Sequence, residues 1–192
     1  MSKIFININK FHNQTQMKKL VYIFLLITVV ASCSQKKTRS REGHIENISK
    51  HEMFIDSIRK TRTVTTDEMF ELMDNYYQFQ QKYKQDSLSP VYLYRAAEAA
   101  LYINQGIKAI AYLKQIESGY PDFSNMSNVI FLIGFTYDNN EKNYDAAREY
   151  YEKFLEKYPD HPLANDTKIL IENLGKSLEE IIKEFEAKNK SN

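Results

Sequence analysis

The chain has 192 residues, a formal net charge of +1, five glycines and a single cysteine. This length fits one domain, and one cysteine excludes both an intramolecular disulfide framework and a cysteine-based zinc site. The four histidines lack the paired spacing of a zinc enzyme, and no phosphate-binding glycine loop or GxSxG, HExxH or CxxC motif occurs. The sequence therefore predicts no metal, no cofactor and no enzymatic activity, and its low Gly and Pro contents favour helices.

The first predicted element is an export signal. Two lysines precede an apolar run from Leu20 to Ala31, which is too short to cross a bilayer. The run ends in Val-Ala-Ser-Cys, and this ending at Cys33 resembles the lipobox of bacterial lipoproteins. The resemblance implies a signal peptide over residues 1–32, cleavage before Cys33 and acylation of that cysteine. An ordinary signal peptide is the alternative interpretation, and Met17 is an alternative start because a signal of ordinary shape begins there.

Residues 33–64 are predicted to form a lipid-anchored, mostly irregular tether, because they begin with a polar, basic stretch without apolar periodicity. A weak helix over 44–60 is the open alternative. Loss of residues 1–32 removes four lysines and no acid, so the basic residues fall from 26 to 22 against 25 acidic ones. This mild net charge of −3 provides no basic stripe, and we expect no nucleic-acid partner.

The residues after Cys33 bear on the cellular address. An inner-membrane retention signal usually resembles Asp directly after the cysteine, and this chain has Ser34 at that position. A signal for export to the cell surface resembles a run of acidic residues after the cysteine, and Gln35-Lys36-Lys37 departs from that pattern. Both departures favour attachment to the outer membrane through the acyl chains, with the domain facing the periplasm.

Apolar spacing predicts seven helices in the rest of the chain, beginning near residues 67, 90, 107, 126, 144, 163 and 177. Thr65 and Ser177 each precede a glutamate by three residues, which is the spacing of a capping box. Ser89 is expected to cap a helix that starts with Pro90, and Asn143 is expected to cap a later one.

An internal repeat organises these helices. Tyr120-Pro121-Asp122 recurs as Tyr158-Pro159-Asp160 after 38 residues, and Ala109 recurs as Ala147 in the same register. Four matching positions in one register make chance similarity improbable, and such a period is typical of stacked helical repeats.

The second unit resembles the tetratricopeptide repeat, whose helix pair carries the pattern W-x₂-L-G-x₂-Y, A-x₃-F and P. The matching residues are Ile130, Ile133, Gly134, Tyr137, Ala147, Tyr151, Phe154 and Pro159. The resemblance covers residues 65–187, leaves 188–192 as a tail, and implies an all-α, right-handed α-solenoid of stacked antiparallel helix pairs. Residues 173–182 also look like the end of small repeat lipoproteins of Bacteroidetes-type bacteria.

The tetratricopeptide resemblance implies a groove lined by the first helix of each pair. On the helix near 126–139 it places the following residues on that face: Asn128, Phe131, Phe135, Asp138 and Asn139. Two aromatic residues four positions apart can anchor a peptide or a partner helix. The alternative is that the protein's own helices fill this groove.

These features predict a non-enzymatic, lipid-anchored periplasmic scaffold whose repeats bind another envelope protein or peptide. In repeat type and address the chain is similar to the lipoprotein of the outer-membrane β-barrel assembly machine and to the periplasmic coordinator that works with the Tol–Pal system. A structural homo-oligomer and an accessory subunit of a cell-envelope or cell-wall enzyme complex stay open as alternatives.

Overall fold

A computed structural model describes residues 40–190, apart from the side chains of residues 185 and 188–190. Eight helices and no strand occupy this part of the chain. They are α1 (Arg41–Arg59), α2 (Thr66–Lys82), α3 (Ser89–Tyr102), α4 (Gly106–Gly119), α5 (Met126–Asn139), α6 (Tyr144–Lys157), α7 (Ala164–Asn173) and α8 (Leu178–Lys190). The all-α class predicted from the sequence is confirmed. Cys33 and the predicted signal peptide lie outside the described residues.

The chain divides into two units, residues 1–50 and residues 51–192. Of the first unit, the structure describes residues 40–50, which contain the first turns of α1. There the Gly43 amide donates to the hydroxyl of Ser40, and Lys50 pairs with Glu46 four residues earlier. The second unit contains the end of α1 and all of α2–α8.

Within the second unit the helices pack mainly against their neighbours in sequence. Contacts join α2 to α3, α3 to α4, α4 to α5, α5 to α6, and α6 to α7. The end of α1 is joined to α2 by side chains, since Asn75 lies 2.6 Å from the His51 ring nitrogen and Tyr76 donates to Glu52. Sequential packing of this kind is consistent with a helical repeat.

Three inter-helix turns have the same backbone. The caps that follow α2, α4 and α6 are Tyr83, Tyr120 and Tyr158, with φ of −123°, −139° and −135° and ψ of 50°, 63° and 58°. In each turn the amide three residues later donates to the tyrosine carbonyl, over 2.8–3.1 Å. The carbonyl of that later residue then accepts from the first amide of the next helix. The repeated turn therefore has a third copy, which ends α2 at Tyr83.

The core repeats in the same register as the turns. One fully buried residue lies four positions before each tyrosine cap: Phe79, Ile116 and Phe154. Ala109 and Ala147, which the sequence register relates, are both fully buried. Small side chains at these positions let neighbouring helices approach, and the larger residues fill the space between successive pairs.

Several predicted caps are confirmed. Thr65 and Glu68 form a reciprocal capping box at the start of α2, and Ser177 and Glu180 form the same arrangement before α8. The Asn143 side chain accepts from the Ala146 amide at the start of α6. These side chains provide partners for amides that a helix leaves unpaired at its first turn.

The prediction for Ser89 was wrong. Leu88 is the capping residue of α3, and Ser89 is the first helical residue, one position before Pro90. The Ser89 hydroxyl instead donates to the Tyr83 carbonyl at 2.5 Å, which ties α3 to the end of α2. The hydroxyl therefore serves the turn between the two helices rather than the amides of α3.

The predicted tether also differs from the structure. Residues 33–64 were expected to be mostly irregular, yet Arg41–Arg59 form the 19-residue helix α1, in agreement with the alternative of a helix over 44–60. In the second unit the burial of Ile55 and the contacts of His51 and Glu52 with α2 stabilise this helix. Such contacts come from residues distant in sequence, so local periodicity under-predicts the helix. At the other end, α8 extends to Lys190, beyond the expected limit at 187.

The last two helices are joined at Gly175, which has a φ of +75° and lies against the ring of Tyr144. A left-handed backbone favours glycine here because other residues meet a steric penalty. Apolar side chains on α7 and α8 remain exposed: Ile169 by 56%, Leu178 by 74% and Ile182 by 48%. This end of the second unit thus presents an apolar surface.

Candidate partner-binding surface

The five residues predicted to line a groove share one face of α5. Phe135 and Asn139 are exposed, whereas Asn128, Phe131 and Asp138 are half-buried. Their spacing of three, four, three and one residues keeps them on the same side of a helix. The structure thus brings these residues onto one surface, while Ile130 and Ile133 are buried.

The two phenylalanines of this face have different surroundings. The ring of Phe131 packs against Phe154 at 5.5 Å and against Tyr151 at 6.0 Å, measured between ring centroids. Phe135 stacks on Phe131 at 6.0 Å and keeps 37% of its surface exposed. Phe131 therefore joins α5 to α6, and Phe135 is the ring that is accessible to a partner.

The polar residues of the α5 face are held by hydrogen bonds. The Tyr151 phenol donates to Asp138 at 3.3 Å, and burial together with the nearby Asp138 carboxylate raises the pKa of Tyr151. The Asn139 amide donates to the Phe135 carbonyl at 3.1 Å, and the Asn128 amide donates to the Asn125 side chain at 2.5 Å. These bonds leave the side-chain oxygens of Asn128 and Asn139 as acceptors for a partner's donors.

The first helix of the preceding pair presents the same pattern of exposure. Helices α3 and α5 begin 37 residues apart, and in this register exposed Glu98 and Tyr102 correspond to exposed Phe135 and Asn139. Tyr94 is half-buried like Phe131, and the five buried residues of α5 correspond to buried residues of α3. Equivalent faces of successive pairs are therefore open to solvent.

A cavity of about 420 Å³ lies where α1, α2 and α3 meet. Pockets for small ligands and side chains occupy this range of volumes. The lining residues that bear charge or an aromatic ring are Glu52, Asp56, Arg59, Tyr76, Arg95, Glu98 and Tyr102. The sequence analysis did not predict this cavity, which residues of α1, α2 and α3 line.

One wall of the cavity is a fixed polar network. The Tyr76 phenol donates to the Glu52 carboxylate at 2.8 Å, and Arg95 binds the same carboxylate. Burial, and after it the neighbouring Glu52, raises the pKa of Tyr76. The Tyr76 ring also stacks on Tyr92, with centroids 5.6 Å apart. Because three helices contribute to this network, it fixes the width of the cavity.

The other charged side chains of the cavity differ in their partners. Arg59 lies 3.7 Å from Asp56 and sits over the Tyr102 ring at 5.8 Å. Glu98 makes no hydrogen bond or ion pair with any residue in the described part of the chain. Burial raises the pKa of the Glu98 carboxyl, and the charge of Arg95 opposes that rise. Glu98 is thus an exposed acid at the cavity that forms no ion pair within the described part of the chain.

The signals for this cavity are absent from local sequence. Glu52, Tyr76 and Arg95 lie 24 and 19 residues apart, on three helices, and no motif has that spacing. What the sequence does supply is the helix register. In that register Glu98 falls on the face of α3 that is equivalent to the Phe135 face of α5.

Between residues 40 and 190, apart from the side chains not described, no group of three His, Cys, Asp or Glu side chains could hold a metal ion. None of the helices described has the length and apolar character needed to cross a membrane. No protein-family model and no curated protein matches this chain. The class that the structure defines is therefore an all-helical domain of eight sequentially packed helices.

Proposed function

We propose that the protein is a non-enzymatic scaffold whose first-helix faces bind another protein or a peptide of the cell envelope. The observation that carries this proposal is the α5 face, where Phe135 is exposed on a helix whose other side is buried. Exposed aromatic anchors beside polar acceptors are typical of binding surfaces. The matching exposure of α3 extends the candidate surface over two repeats.

We also propose that the repeats belong to the tetratricopeptide class. Support comes from the residues that match its pattern in the second unit, since the following are fully buried: Ile130, Ile133, Ala147, Tyr151 and Phe154. Gly134 supports it further, because a Cβ there would lie 2.9 Å from the Tyr151 ring. A glycine at this point lets α5 and α6 approach closely, as the pattern requires.

The proposed address is the periplasmic side of the outer membrane, through acyl chains on Cys33. It rests on the lipobox-like ending at Cys33 and on the residues that follow it. Replacing Cys33 by Ala should move the protein from the membrane fraction to the soluble periplasmic fraction. Continued sedimentation of Cys33→Ala with outer membranes would contradict the lipoprotein proposal.

Photo-crosslinking in living cells tests partner binding directly. A photoreactive amino acid at position 135 should give a discrete crosslinked species with another envelope protein. The matched control places the same group at Glu152, an exposed residue of α6. Crosslinks of equal pattern and yield from both positions would show that the α5 face is no special surface.

A homo-oligomer is a second candidate because of the apolar end of the second unit. Leu178 and Ile182 are exposed one turn apart on α8, Ile169 is exposed on α7, and exposed apolar residues of this kind are candidates for self-association. Light scattering of the detergent-solubilised chain, with the micelle mass subtracted, should then give a multiple of the monomer mass. The variant Leu178→Lys/Ile182→Lys should restore the monomer, and a monomeric parent protein would exclude this candidate.

The accessory-subunit alternative shares the binding surface of the scaffold and differs in what is bound. The species captured from position 135 separates the two. An enzyme of cell-wall or glycan metabolism in that species would favour an accessory role, and a non-enzymatic envelope component would favour the scaffold.

A further inference from the structure

We propose that the cavity between α1 and α3 binds a lysine or arginine side chain of the partner, with Glu98 as its counter-ion. This inference rests on the proposed function and specifies the chemistry of the segment that is bound. It concerns the cavity of about 420 Å³ rather than the exposed phenylalanine of α5.

One acidic side chain in the lining of the cavity forms no ion pair within the described part of the chain. Glu52 is bound by Arg95, and Asp56 lies 3.7 Å from Arg59. Glu98 is the remaining charged side chain of the lining, and no residue in the described part of the chain forms an ion pair with it. The lining therefore carries a net negative charge, which favours a cation as its ligand.

The surroundings of Glu98 favour a cationic neighbour. Glu98 is an exposed residue at the cavity, and partial desolvation raises the pKa of its carboxyl from the ordinary value, an effect that the charge of Arg95 opposes. A cation next to this carboxylate would favour its charged form and would supply the counter-ion that the lining lacks. Arg95 lies on the same helix, one turn earlier, but its guanidinium is engaged by Glu52.

The shape of the cavity suits a long, flexible cationic side chain. Ala99 and Ile55 contribute apolar surface to the lining, and Tyr102 contributes a ring. Lysine and arginine place their methylene groups along such surface while the charged end reaches an acid. A negatively charged ligand would meet Glu98 and would have to displace Glu52 or Asp56 from their arginine partners.

The repeat register places a second contact site, on α5, in the position equivalent to the cation site. Glu98 of α3 and Phe135 of α5 occupy equivalent positions of successive pairs. A bound segment that follows the two helices would present a basic side chain to Glu98 and an apolar side chain to Phe135. The partner segment is therefore expected to combine a basic residue with an apolar one.

The test uses the full chain in detergent micelles, with isotope labels, and three small probes. These are the Nα-acetyl methylamides of lysine, of norleucine and of glutamate. The lysine probe should shift the backbone amides of Glu98, Ala99 and Tyr102 in a saturable way. Norleucine has nearly the same length without the charge, so its effect should be weaker, and the glutamate probe should have the weakest effect. Equal binding of norleucine, or stronger binding of glutamate, would overturn the inference.

Two variants of Glu98 sharpen the result. Glu98→Gln keeps the shape and should lower the affinity for the lysine probe about twofold to fivefold, the loss expected for one exposed ion pair. Glu98→Lys should reverse the preference towards the glutamate probe. The matched control Glu152→Gln removes an equal charge from α6 and should change neither affinity. Unchanged lysine binding by Glu98→Gln would refute the role of this carboxylate.

Failure of this inference and failure of the proposed function are separable. A chain that is crosslinked to a partner through position 135 but does not prefer the lysine probe is a scaffold without the proposed cation site. A chain that binds the lysine probe through Glu98 but gives no crosslink from position 135 has the cation site, while the partner surface on α5 is wrong.

Discussion

The Tyr76 phenol donates a hydrogen bond of 2.8 Å to the Glu52 carboxylate, across the contact between α2 and the end of α1. Arg95 of α3 binds that same carboxylate. One acid thus joins α1, α2 and α3. A local motif does not create this relationship, which depends on the helices being stacked in register.

Removing the phenol oxygen should weaken the domain. We expect Tyr76→Phe to lower the free energy of unfolding by about 1–2 kcal/mol, since a buried hydrogen bond to a charged group is lost while the ring remains. Urea unfolding, followed by circular dichroism, measures this change. Tyr112→Phe is the control, because its hydroxyl makes no hydrogen bond with any residue between 40 and 190, and it should stay close to the parent. Equal effects of both variants would mean that the network adds no stability.

The capping box of α2 predicts a dependence of stability on pH. The Arg62 guanidinium, and after it the Thr65 amide, lower the pKa of Glu68 to about 2 from its ordinary value of 4.5. Because the folded-state pKa is the lower one, the stabilisation is complete above 4.5 and is lost as the pH falls through about 2. Glu68→Gln should therefore reduce the loss of stability on acidification through this range.

The measurement is the urea midpoint at several pH values between about 6 and 2, with the slope taken from linkage. Glu152→Gln, which removes a surface acid of α6, is the control and should leave the pH dependence nearly unchanged. If Glu68→Gln follows the parent at every pH, then the box has no part in acid stability.

Much of the helical framework could be predicted from sequence because its signals are local. Thr65, Asn143 and Ser177 mark helix starts through their own side chains. Helix α1 is also capped at its start by Ser40, but the contacts that hold it against α2 come from residues 24 positions away. The first copy of the repeated turn was missed because Tyr83 is followed by Lys84 rather than proline, although its backbone matches the later copies.

The candidate site was predictable in part for the same reason. Phe131 and Phe135 lie four residues apart, so the helical period alone predicts that they share one face of α5. Their different exposure could not be predicted in this way, because it depends on the packing of Phe131 against Phe154 and Tyr151 of α6. Whether Glu98 has a counter-ion is likewise a property of the folded chain, since the acid that engages Arg95 lies on α1.

Two glycines provide a matched test of helix packing. A Cβ on Gly134 would lie 2.9 Å from the Tyr151 ring and 3.3 Å from the Tyr150 Cβ, whereas a Cβ on Gly119 would meet nothing within 4 Å. We expect Gly134→Ala to destabilise the protein by about 1–3 kcal/mol through overpacking. Gly119→Ala should be neutral or stabilising by up to about 1 kcal/mol, because it restricts the unfolded chain. Thermal unfolding of both variants tests this expectation, and similar melting temperatures for the two would contradict close packing at Gly134.

The two phenylalanines on either side of Phe131 separate stability from binding. Phe154 is fully buried, and Phe154→Ala should lower the free energy of unfolding by about 3–5 kcal/mol because it leaves a cavity. Phe135 keeps 37% of its surface exposed, so Phe135→Ala should cost only about 1 kcal/mol or less. The photoreactive group is then moved to position 139, also exposed on the α5 face. Phe135→Ala should reduce the crosslink yield from there while the melting temperature stays near that of the parent. A large loss of stability from Phe135→Ala would instead assign this ring to the core, and the α5 face would lose its anchor.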